Sequence, residues 1–110
     1  MKNKKSKIEI VVELDDNKIP ENIFWSATDA GIENSQTKAT FVSVWDSTKK
    51  ESLRIDLWTK DMPLDEMKIF FYQILTSMSA TYKRATQDEK MSQTMLDFCD
   101  YFAEKLELKK

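Results

Sequence analysis

The hydrophobic spacing of this chain changes period once, at Pro63, and that change limits the folds open to it. Before Pro63 the apolar residues alternate, as in strands; after it they recur at three and four, as in helices. Residues 7–58 therefore read as strands and residues 63–109 as a helical hairpin, all within a single domain of 110 residues. Residues 1–6, with their lysines, read as a flexible lead-in.

The first strand is the clearest. Ile8, Ile10, Val12 and Leu14 share one face, with Lys7, Glu9, Val11 and Glu13 on the other. Asp15-Asp16-Asn17-Lys18 makes a turn, and Ile23–Ala27 forms a second short strand. Residues 32–37 are polar and read as loop. Thr40–Trp45 and Leu53–Trp58 are rich in β-branched and aromatic residues, and the linker between them suits a hairpin. The expectation is one antiparallel sheet of about four strands.

Pro63 opens the first helix, with Asp65 and Glu66 complementing its N-terminal dipole. Met67, Phe70, Phe71, Ile74, Leu75, Met78 and Tyr82 form its stripe. Thr86-Gln87-Asp88-Glu89 fits a capping box, with Thr86 as N-cap and Glu89 reaching back. Met91, Met95, Phe98, Cys99, Phe102 and Leu106 form the second stripe, and Lys105, Lys109 and Lys110 suit the C-terminal dipole. A short join makes the helices antiparallel. The predicted class is α+β in two layers, with both helices packed on one face of the sheet.

The chain is poorly equipped for chemistry. It has no histidine, the commonest metal ligand and near-neutral acid–base group. Its one cysteine, Cys99, lies on an apolar stripe and reads as a small buried hydrophobe rather than a nucleophile. The acidic pairs Asp15/Asp16, Asp65/Glu66 and Asp97/Asp100 have ordinary roles in a turn, a helix start and a solvated helix face. No phosphate loop or metal-ligand spacing occurs. The expectation is a non-enzymatic protein without metal or cofactor.

Seventeen basic against nineteen acidic residues give a net charge of -2, which argues against nucleic-acid binding. The basic start, Lys2, Lys4, Lys5 and Lys7, is followed by charge alternation rather than the apolar core of a signal peptide. No run approaches the ~18 apolar residues of a membrane span. A cytoplasmic protein that does not span the membrane is expected.

Strand parity singles out a surface. If the helices cover Ile8, Ile10, Val12 and Leu14, together with Leu53, Ile55 and Leu57, then Val11, Arg54, Asp56 and Trp58 point the other way. Either Phe41 and Trp45 or Val42 and Val44 join them, depending on hairpin register. Mixed aromatic and charged faces of this kind mark protein contacts or a homodimer surface. Val11, Trp45, Arg54, Asp56 and Trp58 are the candidate partner surface. The competing reading is a small-molecule pocket between helices and sheet, lined by Phe70, Tyr72, Tyr82 and Phe98.

Three stretches carry a family resemblance. They are Ser43-Val44-Trp45-Asp46 with Leu53-Arg54-Ile55-Asp56-Leu57-Trp58-Thr59-Lys60-Asp61-Met62-Pro63; Arg84-Ala85-Thr86-Gln87-Asp88-Glu89-Lys90-Met91; and Asp97-Phe98-Cys99-Asp100-Tyr101-Phe102-Ala103-Glu104-Lys105. They resemble the gliding-motility family called GldC, from first strand to last helix. The resemblance implies a cytoplasmic accessory protein of Bacteroidetes, associated with surface gliding and the linked secretion machinery. It implies no enzymatic activity and no cofactor, and it brings no assigned site residues; binding of a protein partner is the expectation drawn from the lack of chemistry and the sheet surface above.

Overall fold

The structure is a computed structural model that describes residues 4–108. Lys2, Lys109 and Lys110, to which the sequence assigned a solvated start and a dipole partner, lie outside the described residues. The chain is α+β and forms two compact units, residues 1–62 and 63–110.

Among the described residues the first unit holds five strands, β1 Ile8–Leu14, β2 Pro20–Ala27, β3 Ile32–Thr37, β4 Ala39–Asp46 and β5 Glu51–Trp58. They build two antiparallel sheets, β1-β2-β3 and β4-β5, rather than one sheet of about four strands. The difference begins at β3. Its polar sequence, Ile-Glu-Asn-Ser-Gln-Thr, carries little apolar alternation, yet its backbone pairs with β2, Ile23 opposite Thr37 and Trp25 opposite Ser35. Side-chain bonds support the ladder: the Asn34 N–H donates to Ser26 Oγ at 2.9 Å, and Gln36 Nε2 donates to Asn22 Oδ1 at 3.1 Å. A 3-10 turn at Thr28–Ala30 reverses the chain, and Gly31 (φ 71°) supplies the left-handed residue that ends it.

In the three-stranded sheet Val12 faces Ile23 and Ile10 faces Trp25, so these four share one face. Ile23 is fully buried and marks the core of this unit; Ile8 and Leu14, at the ends of β1, are exposed. The β1–β2 turn is an Asx turn: Asp15 Oδ1 accepts the N–H groups of Asn17 and Ile19 at 2.8 and 3.0 Å.

The β4–β5 hairpin closes over residues 47–50. Asp46 Oδ1 accepts the Thr48 and Lys49 N–H groups, and Lys50 takes a left-handed φ of 56°. Its register places Phe41 opposite Asp56, Val42 opposite Ile55, Ser43 opposite Arg54 and Trp45 opposite Ser52. Phe41, Trp45, Arg54, Asp56 and Trp58 therefore share one face, and Val42, Val44, Leu53, Ile55 and Leu57 the other. Leu53 and Ile55, expected to be covered, are 52% and 59% exposed; Leu57 is half-buried.

The second unit is a helical hairpin, α1 Leu64–Thr86 and α2 Glu89–Lys105. A link of two residues forces the helices antiparallel. Pro63 is the N-cap of α1, with Asp65 and Glu66 in the first turn. The N-cap of α2 is Asp88 rather than Thr86: its Oδ1 accepts the Met91 N–H at 3.0 Å. Thr86 stays in α1, its hydroxyl donating to the Tyr82 carbonyl, and Gln87 turns left-handed (φ 63°) between the helices. Two capping residues compete within three positions, and the aspartate captures the new helix.

Small residues fill the seam between the helices. Ser79, Ser92, Cys99 and Ala103 are each at most 4% exposed. Ser92 Oγ donates to the Ser79 carbonyl at 2.9 Å and Ser79 Oγ to the Thr76 carbonyl at 2.7 Å, so both buried hydroxyls are satisfied. Among the described residues no helix is long and apolar enough to cross a membrane.

Candidate functional site

The β4–β5 hairpin assembles four of the five residues singled out by strand parity. Trp45 and Trp58 lie near opposite ends of its aromatic face, 64% and 53% exposed. Between them Arg54 grips Asp56 with two hydrogen bonds, Nη2 to Oδ1 at 2.9 Å and Nε to Oδ2 at 3.4 Å. The Arg54 guanidinium also lies 6.0 Å from the Phe41 ring centre. Ser43, opposite Arg54, and Ser52, opposite Trp45, are small neighbours for these large side chains. Hydrogen bonding to Asp56, and then its charge, raise the Arg54 pKa above its already high ordinary value.

Val11 is not part of this face. It belongs to β1 in the other sheet, opposite Phe24, because the strands divide into two sheets instead of sharing one outer face. On that side of the three-stranded sheet, Asn22 donates to Glu13 Oε1 and accepts from Gln36.

A feature that alternation alone does not reveal follows β5. Thr59 is 2% exposed; its N–H donates to the Lys38 carbonyl at 2.8 Å and its hydroxyl to Asp61 Oδ1 at 2.6 Å. Lys60 reaches Asp15 Oδ2 at 3.0 Å and Glu21 at 3.9 Å, tying the β1–β2 turn to the end of β5. The Ile19 N–H, then Lys60, hold the Asp15 carboxyl below its ordinary value, and Asp15 in turn raises Lys60. The Thr59 hydroxyl, with Lys38, lowers Asp61. The polar Thr-Lys-Asp run directly after an alternating strand is the sequence signal for this latch.

Of the aromatic residues read as one pocket lining, Phe70 and Tyr82 share a groove within the helical hairpin, and Phe98 does not line it. Phe70 and Tyr82 line an open groove of about 590 Å³ with Ile74, Met78 and Met95. Phe98 is 52% exposed and lies near Tyr101 and Phe102, at ring separations of 6.3 and 6.1 Å. Cys99 is buried in the helix seam. Among the described residues, no group of three or more cysteine or carboxylate side chains is placed to hold a metal ion.

No curated protein and no solved structure matches this chain. A family match does cover residues 20–108, from the start of β2 through the helical hairpin, and the family is described as gliding motility-associated protein GldC-like. The chain belongs to this GldC-like family of gliding motility-associated proteins.

Proposed function

We propose that this protein is a non-enzymatic, cytoplasmic accessory component of the gliding apparatus, acting by binding another protein through the aromatic face of the β4–β5 hairpin. The observation that carries the reading is the pair of exposed tryptophans, Trp45 and Trp58, set about a paired Arg54–Asp56 on a backbone fixed by its ladder. Trp and Arg are the side chains that most often dominate binding energy at protein interfaces. Strands hold them without the ordering cost that a loop would add. Family membership supports gliding as the process, and a component of the gliding or linked secretion machinery is the partner expected.

Affinity capture of the tagged protein from its native bacterium, with mass spectrometry, tests the reading. Recovery of a motility or secretion component is expected. Capture that repeatedly returns none would count against it.

A further inference from the structure

We propose that β5 pairs antiparallel with β5 of a second copy of this chain, with Ile55 facing Ile55 across a two-fold axis, so that the two hairpins make one four-stranded sheet. This does not rest on the partner reading above; it concerns the edge of the hairpin rather than its aromatic face.

The hairpin has only two strands, and Val44, Trp45, Leu53, Ile55 and Trp58 leave apolar surface exposed on both of its sides. An isolated two-stranded ribbon is marginal in water, and an apolar edge strand is a template for further pairing. Ser52 to Asp56 are all exposed. Among the described residues, the backbone hydrogen bond that links the three-stranded sheet to this edge lies at its far end, where the Lys60 N–H donates to the Pro20 carbonyl at 3.3 Å.

The backbone says which groups the edge offers. The Thr59 N–H donates to the Lys38 carbonyl, one step beyond the pair Ala39–Trp58. Alternation of an antiparallel ladder then turns the amides of Leu53, Ile55 and Leu57 toward β4 and those of Ser52, Arg54, Asp56 and Trp58 outward. A second strand must match outward residues with outward residues. Three central registers do so, and charge separates them. Centring on Arg54 opposes two arginines, and centring on Asp56 opposes two aspartates; like charges in direct opposition are unfavourable. Centring on Ile55 sets each Arg54 against Asp56 of the second copy and each Leu53 against Leu57 of the second copy. Leu-Arg-Ile-Asp-Leu is thus complementary to itself when reversed. The outer edge of β4, Ala39–Asp46, offers no such pattern, having no basic residue. Pairing through β5 also doubles the tryptophan face, bringing both copies' Trp58 onto one sheet.

The test is sedimentation equilibrium from roughly 10 μM to 1 mM, the range where a contact of this size associates. Wild-type protein is expected to show a monomer–dimer equilibrium. R54D and D56R should each weaken dimerisation about tenfold or more, because every cross-strand pair becomes like-charged. An equimolar mixture of R54D and D56R should restore the dimer as a heterodimer, since opposite charges meet again. Recovery on mixing cannot come from two misfolded variants. A wild type that stays monomeric throughout, single variants that dimerise like wild type, or a mixture that stays monomeric would each overturn the proposal. Register has its own check. Ile55→Cys should form an intermolecular disulfide on mild oxidation, because directly opposed residues of this pair type lie about 4.5 Å apart at Cα. Arg54→Cys crosslinking in preference to Ile55→Cys would overturn the register.

Discussion

The Tyr82 hydroxyl donates to Asp88 Oδ2 at 3.1 Å, while Oδ1 of the same carboxylate accepts the Met91 N–H at 3.0 Å. One aspartate therefore caps α2 and is held in place from the last turns of α1. Asp88→Ala should cost about 1–2 kcal/mol in urea unfolding. Thr86→Ala should cost less, since its hydroxyl serves the end of α1 and the Asp88 N–H rather than the N-terminal amides of α2. Equal costs would return the cap to Thr86. Gln87→Gly should stabilise the hairpin by about 0.5–1 kcal/mol, by relieving a left-handed backbone at φ 63°.

Acid stability should depend on the latch. The Asp15 and Asp61 carboxyls are both lowered from 3.8 in the folded chain. A carboxyl depressed by folding stabilises the folded state above its unfolded pKa, and that stability is lost as pH falls through the folded value. Thermal midpoints measured from pH 7 down to about 3 should therefore fall in the acid range, and D15N/D61N should fall less steeply. Lys60→Met should flatten the curve less than D15N, because the backbone N–H of Ile19 is the larger influence on Asp15.

The most buried positions of the helical hairpin carry small side chains. Ala103 is fully buried, and Ala103→Leu should destabilise the protein by about 1–3 kcal/mol through overpacking. Ser92→Ala removes a buried hydrogen bond to the Ser79 carbonyl and should cost roughly 1 kcal/mol. Cys99, 3% exposed, should react with a thiol reagent only as fast as the protein opens, and the full thiol signal should appear on unfolding.

Elements with their own periodicity were legible from sequence. The alternation of Ile8, Ile10, Val12 and Leu14 sets β1 at Ile8–Leu14, and the two apolar stripes set the helices. β3 was not legible, because Asn34, Ser35 and Gln36 join the sheet through backbone pairing with β2 and carry no apolar face of their own. Missing β3 also hid the split into two sheets, and with it the separation of Val11 from Trp58. Hairpin register was open for a similar reason: alternation defines two faces but not which face of β4 meets which face of β5. The pairing of Phe41 with Asp56 settles it and puts Trp45 beside Arg54, Asp56 and Trp58 on one face.

Side-by-side capture of wild type and Trp58→Glu from the native bacterium asks whether this face binds a protein of the gliding apparatus. Circular dichroism first establishes that the variant keeps its fold, as expected for a residue 53% exposed. If the face is the interface, wild type recovers a gliding or secretion component. The variant should then lose it about thirtyfold, the effect of an interface residue contributing roughly 2 kcal/mol. A folded variant that recovers the same component at the wild-type level would contradict the account.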